Sequence, residues 1–323
     1  MITEFFPQDA YYCLLDDQPE YLTPQRLIAP RKGEGALMIS PHCAFAWQGL
    51  PPDLEARIGD TRGLFETTWM VWVDDPATGV LAPYWLGPEL ARVLADLRPG
   101  QRLDGRPRED LLAILWQAGV VVTPDHARGR RDAWRAAVEA GAAQAARGWM
   151  VLEGLIPAFH VGALRRYVRA QIRFGRLALG DDQSPDRYVA HDEPVAAFFH
   201  RQLAQAMSAA AGTSIIPSYC YLTAYQGGAD LEPHTDREQC EYTFSLCVDA
   251  TPEPAAQVPW PLWLQTFNGP VAVWQHLGDG LLFRGRYLTH WRDRLAGDQT
   301  VANILFHFVD ADPPRSGRQA RET

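Results

Sequence analysis

The stretch Leu231-Glu-Pro-His234-Thr-Asp236 carries two side chains that can bind a metal together, an imidazole and a carboxylate two positions apart. On a β-strand, residues i and i+2 share a face, so His234 and Asp236 are expected to offer one nitrogen and one oxygen to a single ion. A second histidine, His290, lies downstream in the strand-like run Tyr287-Leu-Thr-His290-Trp291, and His307 in the last strand-like run is the other candidate, as a ligand or as a core histidine. Two imidazoles and one carboxylate on one side of a divalent ion leave its other positions open to a ligand and a reactant. The rest of the chain is then expected to build and close a pocket around these three residues.

The gross composition narrows what that pocket can serve. A chain of 323 residues exceeds what one compact core usually holds, so two domains are expected. The net charge of −9 argues against a broad basic surface, and nucleic acid is not an expected partner. Lys32 is the single lysine, which leaves no other for a phosphate loop or a Schiff base. Cysteines 13, 43, 220, 240 and 247 are odd in number and form no Cys-x-x-Cys pair, so reduced thiols are expected. No apolar run reaches the roughly 18 residues of a membrane span, and the first residues lack a basic start with an apolar run. The expectation is a soluble cytoplasmic protein with no membrane partner.

Residues 1–125 read as a small N-terminal module. Short apolar runs at 36–40 and 44–47 precede a hairpin formed by 67–73 and 80–85, rich in β-branched and aromatic residues. Helices are expected over 87–97, with proline in the first turn, and over 108–118, followed by a short strand at 120–122. This order resembles a winged-helix-type module. It would serve as a platform, or present a peptide as the small domains that offer leader peptides to modifying enzymes do.

Residues 124–131 are polar and read as a linker, and 132–147 as an alanine-rich helix. A strand at 149–152 and an amphipathic helix over 158–177 follow. Arg165, Arg166 and Arg169 on that helix are expected to form a solvated face, and His160 and His126 to be surface or capping residues. The loop 180–188 is long enough to carry function. The helix 194–211 has Phe198, Phe199, Leu203 and Met207 on one stripe, expected to face the core. From 215 the period becomes two: Tyr219, Tyr221, Thr223 and Tyr225 share a face that suits the inside of a polar-lined barrel. Short strands separated by Gly, Pro and Asp turns run on to 309. The expected fold is α+β: a C-terminal double-stranded β-helix, or jelly-roll, core with supporting helices over 126–311, the N-terminal module over 1–125, and a flexible tail over 312–323.

Tyr225-x8-His234-x-Asp236, joined to Gly278-Asp-Gly-Leu-Leu-Phe-Arg-Gly285 and His290-Trp291, resembles the Fe(II)- and 2-oxoglutarate-dependent oxygenases, in their prolyl-4-hydroxylase-like branch. The likeness covers about residues 215–310. It implies Fe(II) held by His234, Asp236 and His290, with 2-oxoglutarate chelating the iron through its keto and C1 carboxylate oxygens and O2 as co-substrate. It implies hydroxylation of an unactivated C–H bond in a small molecule, amino acid or peptide, since Asp236 occupies the position a halide would need.

One departure stands out. That branch places Arg or Lys nine or ten residues after the distal histidine to pair with the far carboxylate of 2-oxoglutarate, whereas here Gln299 and Thr300 stand there. A buried dianion needs a cationic, preferably bidentate partner. Arg292, two residues after His290, is the first candidate, followed by Arg294, Arg284 and Arg237. Tyr225 is placed to donate its hydroxyl to the same carboxylate, while Arg237, Tyr221 and Trp291 are candidates for the substrate side. The missing base also leaves room for a cupin-like metalloenzyme that does not use 2-oxoglutarate, or for a binding module with a vestigial metal site.

Overall fold

The computed structural model describes residues 8–16, 29–31, 33, 35–64, 69–145 and 147–311. Lys32, positions 67 and 68 of the expected hairpin, and the expected tail at 312–323 lie outside those residues.

The N-terminal part opens with β1 (Met38–Ile39), β2 (Cys43–Phe45) and α1 (Pro52–Ile58). The expected hairpin is β3 (Met70–Asp74) and β4 (Leu81–Trp85), with Met70 opposite Trp85 and Asp74 opposite Leu81. The hairpin takes β2 as a third strand. After it come α2 (Pro88–Leu94), α3 (Glu109–Gln117) and β5 (Val121–Val122). β5 pairs with β1 in a separate ribbon and not with the hairpin.

The stretch read as a linker is helical. α4 (Pro124–Ala145) begins at Pro124, and Thr123 Oγ1 accepts from the backbone N–H of His126 at 3.2 Å. Thr-Pro-Asp is a cap, a first-turn proline and a first-turn acid, so the start signal outweighs the polar composition. The expected boundary at 125 therefore falls in the first turn of a helix.

β6 (Trp149–Leu152) and α5 (Ala158–Arg173) follow. The arginines of α5 are only in part the expected solvated face: Arg169 keeps a 45% exposed side chain and Arg165 is largely covered, yet all three are paired within the protein. Arg165 Nε and Arg169 Nε donate to the two oxygens of Asp249 at 2.7 and 2.6 Å, and Arg166 donates to the carbonyl of Tyr12. Asp249 is buried where its strand shifts register, so its charge needs these partners. His160 is likewise not at the surface. It is fully buried, with Nδ1 2.5 Å from the Tyr11 hydroxyl, and burial pushes it down to about 3.

β7 (Ala178–Leu179) and β8 (Arg187–His191) lead to α6 (Pro194–Ala211). Glu193 caps α6 by accepting from the N–H groups of Val195 and Ala196, and Gly212 closes it in the left-handed conformation at φ 70°. Phe198, Phe199, Leu203 and Met207 are fully buried, as their spacing predicts. Each contributes about 1.5–3 kcal/mol of burial free energy.

The remaining strands are β9 (Ile215–Tyr225), β10 (Leu231–His234), β11 (Tyr242–Thr251), β12 (Leu262–Thr266), β13 (Gly269–Val273), β14 (Gly280–Phe283), β15 (His290–Arg292) and β16 (Thr300–Asp310). They form two antiparallel sheets, ordered β6-β14-β11-β16-β9-β8-β7 and β10-β15-β12-β13. This arrangement fits a jelly roll. α5 and α6 cover the outer face of the larger sheet, where Leu222, Phe244 and Phe306 join one buried cluster with Phe199 and Trp72. That cluster runs from Tyr11 to Phe308, so the N-terminal strands and the large sheet share a core. Between the sheets, Leu264, Leu281 and Phe283 close one end, while Tyr225, Trp260 and Val301 close the other. All five cysteines are free and buried. No helix among the described residues is long and apolar enough to cross a membrane.

Candidate metal centre and ligand pocket

The structure brings His234, Asp236 and His290 together at one wall of a pocket of about 350 Å³ between the two sheets, with their ligand atoms all within 4.8 Å of one another. His234 and His290 face each other across the β10–β15 ladder, rings 4.3 Å apart. Each uses Nδ1 on a backbone carbonyl two residues earlier: His234 on Glu232 at 2.8 Å, His290 on Leu288 at 2.9 Å. A donating Nδ1–H fixes the tautomer and leaves the Nε2 lone pair for the pocket. Both Nε2 atoms turn towards Asp236 Oδ1, at 3.7 and 3.5 Å.

Asp236 reaches this point by a different route from the one its spacing suggests. β10 ends at His234, and Asp236 follows in a turn that its N–H pins by donating to Gly285 O at 2.9 Å. Its second oxygen, Oδ2, accepts from Thr243 Oγ1 at 2.8 Å, and Thr243 in turn lies 3.0 Å from His307 Nδ1. Gly285 is required here, because a Cβ at that position would sit 2.1 Å from Asp236 Oδ2 and 2.7 Å from Thr243 Oγ1. Burial alone would raise the Asp236 carboxyl, but bonding and charge from His290, with His307 and Thr243 behind, hold it at about 2. Burial lowers His234, with neighbouring His290 adding to it, so a neutral imidazole faces the pocket.

Arg292 lies two residues beyond His290 on the same face of β15 and is 5% exposed. Its guanidinium rests on the Trp260 ring at 4.6 Å, and Nη1 donates to Trp260 O at 2.6 Å. No carboxylate among the described residues pairs with it. Burial lowers its affinity for the proton, with Tyr225 and Cys247 acting the other way. Tyr225 stands beside it, its ring 4.9 Å from Trp260.

The other arginines go elsewhere. Arg284 follows the inward-facing Phe283 and so turns out, pairing with Glu241 at 3.3 Å and lying over the Tyr287 ring at 4.3 Å. Arg294 is exposed beyond the end of β15, and Arg237 is an exposed residue at the pocket rim. Trp291 alternates away from His290 and Arg292 and stacks on Trp263 outside the pocket at 6.0 Å. Tyr221 lines the pocket, its hydroxyl donating to Asp181 at 2.5 Å.

Sequence reasoning missed three wall residues. Arg187 sits opposite Tyr225 in the β8–β9 ladder, is 2% exposed, and donates to Tyr225 Oη at 2.8 Å and to Asp181. Burial opposes its charge, but Tyr225 and Asp181 outweigh that and hold Arg187 above the ordinary guanidinium value. The expected functional loop 180–188 was the available signal for it. Thr243, which steadies Asp236, and Asn303, on the inward face of β16, gave no local signal at all.

Two imidazole nitrogens and a carboxylate oxygen on one side of an ion suit a divalent first-row metal that keeps other positions open. The guanidinium in the same pocket, which has no carboxylate partner among the described residues, suits an anionic ligand. No protein-family profile matches the chain, and no curated protein matches it. Among solved structures, it is similar to the non-haem α-ketoglutarate-dependent epimerase SnoN from nogalamycin biosynthesis, at 15% identity and TM-score 0.46 over 57% of this chain and 92% of that one. It is also similar to a Pseudomonas putida prolyl-4-hydroxylase, at 18% identity and TM-score 0.42 over 54% and 98% of the two chains. A third is the prolyl hydroxylase of Trichoplax adhaerens, in complex with a hypoxia-inducible-factor peptide fragment, at 16% identity and TM-score 0.44 over 54% and 90%.

Proposed function

We propose that this protein is an Fe(II)- and 2-oxoglutarate-dependent oxygenase that hydroxylates a C–H bond of a small molecule, amino acid or peptide. The observation that carries the reading is the placement on one short strand of an imidazole converging with His234 and Asp236 and, two residues on, a buried guanidinium with no carboxylate partner among the described residues. The second group favours an anionic ligand beside the metal, which an oxo-acid co-substrate supplies and a cupin-like enzyme would supply only with an anionic substrate.

His234, Asp236 and His290 would hold the iron, and Arg292 with the Tyr225 hydroxyl would take the far carboxylate of 2-oxoglutarate. Iron and 2-oxoglutarate, when bound, supply decarboxylation of the oxo acid coupled to oxidation of the substrate. The chain's own residues orient and screen. Carbonyls of Glu232 and Leu288 fix the two imidazoles, and Thr243 fixes the carboxylate. Trp260 and the flanking apolar residues keep water from the buried guanidinium, which strengthens its attraction for an anion. His191, Tyr219, Asp182 and Arg237 at the rim are the substrate side of this reading. The N-terminal part is read as a winged-helix-type platform or peptide-presenting module, and capture of peptides by the full chain tests that role.

The test of the reaction is aerobic incubation with Fe(II) and 2-oxoglutarate labelled at C1. Release of labelled CO2 matched by succinate, and lost in His290→Ala, is the expected result. Iron-loaded protein that consumes no 2-oxoglutarate with any substrate candidate contradicts the reading.

A further inference from the structure

His307 is the histidine that the first metal centre leaves out. It stands on β16 opposite Thr243 of β11 and is 3% exposed, yet it belongs to the lining of the pocket. It does not converge with His234 and His290; its Nδ1 lies 3.0 Å from Thr243 Oγ1, next to the second oxygen of Asp236. The threonine hydroxyl has one proton and gives it to Asp236 Oδ2. Nδ1–H is therefore the donor to Thr243, and Nε2 keeps its lone pair. Nε2 has no hydrogen-bond partner among the described residues.

Cys240 reaches the same place from another element. It ends the short 3-10 turn Glu238–Cys240, is 2% exposed and also lines the pocket. Its Sγ lies 3.0 Å from the hydroxyl of Tyr219, whose ring packs on that of His307 at 4.6 Å. The sulfur of Cys240, a ring nitrogen of His307 and a carboxylate oxygen of Asp236 all lie within 4.8 Å of one another. A buried thiol alone would pass for a small apolar group. A buried imidazole with an unmet nitrogen would not, because that nitrogen is costly to keep from water.

We infer that Asp236, Cys240 and His307 form a second cation site, for a divalent ion of the zinc class, beside the one made by His234, Asp236 and His290. The carboxylate is shared. Its Oδ1 faces the two imidazoles of the first site, and its Oδ2 lies on the Thr243 side, towards His307. Thiolate, imidazole and carboxylate are the donors that zinc takes, and the sulfur selects it against magnesium or calcium. Binding forms a metal–sulfur bond, and the thiol proton leaves to solvent. Tyr219 then donates its hydroxyl to the thiolate and holds the sulfur in place. Neither Cys240 nor His307 is a ligand in the oxygenase reading above, and the second site shares only Asp236 with it.

The test is an anaerobic titration of the metal-free protein with Co(II), whose bond to a thiolate gives a near-ultraviolet charge-transfer absorption that nitrogen and oxygen ligands do not give. The native protein is expected to bind two equivalents, one of them with this absorption, and Zn(II) is expected to abolish it. Cys240→Ser and His307→Gln should each lose the absorption and keep one equivalent. Thermal melting without metal checks that both variants are folded. His234→Ala should keep the absorption and lose the other equivalent, whereas Asp236→Ala should lose both. Absence of the thiolate absorption in the native protein at saturating Co(II), or its persistence in Cys240→Ser or His307→Gln, overturns the inference. A single equivalent whose thiolate absorption disappears in His234→Ala also overturns it, because Cys240 then belongs to the first site.

Discussion

His290 and Arg292 form the two ends of β15 and face the same pocket, 4% and 5% exposed, while Trp291 between them faces out. Alternation along a three-residue strand thus puts a metal ligand and a buried positive charge on one wall. The charge has no acidic partner among the described residues, so it is costly to the empty protein and useful to an anion.

Replacing that charge separates stability from binding. Arg292→Met is expected to melt at or above the native temperature without ligand, since it removes an unpaired buried cation of similar length. Its affinity for 2-oxoglutarate should fall at least about thirtyfold, the cost of losing a buried ionic partner. Iron affinity should stay within about twofold. Calorimetry and Fe(II) titration of the variant check all three.

Thr243 acts on the metal through Asp236. Thr243→Val removes the bond to Asp236 Oδ2 and keeps the volume, so Fe(II) affinity is expected to fall by about tenfold to a hundredfold. Thr243→Ser, which retains the hydroxyl, should stay near native. Equal affinities in the two variants would remove Thr243 from the account.

Gly285 is held to glycine by contact. Gly285→Ala places a methyl 2.1 Å from Asp236 Oδ2, so the carboxylate must leave its position. The expected outcome is a folded protein, by circular dichroism, that has lost most of its iron affinity.

Acid should weaken the fold through buried imidazoles away from the pocket entrance. Burial depresses His160 to about 3 and His200 to about 4, whereas the unfolded chain takes up the proton near about 6.5. Their neutral forms support the fold fully above the unfolded value. Below it the unfolded state binds more protons, and stability falls by about 1.4 kcal/mol per pH unit for each group until the folded values are reached. Urea unfolding at pH 7.5 and pH 5 measures this, and His160→Gln should make the slope shallower.

Much of the scaffold could be read from local pattern. The α6 stripe of Phe198, Phe199, Leu203 and Met207 is buried, and β9 turns Tyr219, Tyr221, Thr223 and Tyr225 to the pocket, because periods of 3.6 and 2 are properties of the chain itself. What depends on partners far along the chain could not. Arg165 and Arg169 look like a surface charge run until Asp249, some 80 residues away, is placed beside them. Asp236 looks like a strand neighbour of His234, yet it is set by the distant Gly285 carbonyl. Asn303 resembles any polar residue on a strand until its neighbours among the described residues are known to leave both amide atoms unmet. β5 shows the same dependence, since its valine run predicts a strand but only tertiary packing pairs it with β1.

The most direct test of the central claim is an anaerobic titration, first with Fe(II) and then with 2-oxoglutarate. The expected result is a visible charge-transfer band that appears only when the oxo acid joins the iron and saturates at one equivalent. It should be lost in His234→Ala and weakened in Arg292→Ala. Iron bound tightly by the native protein, with no band at saturating 2-oxoglutarate, would contradict it.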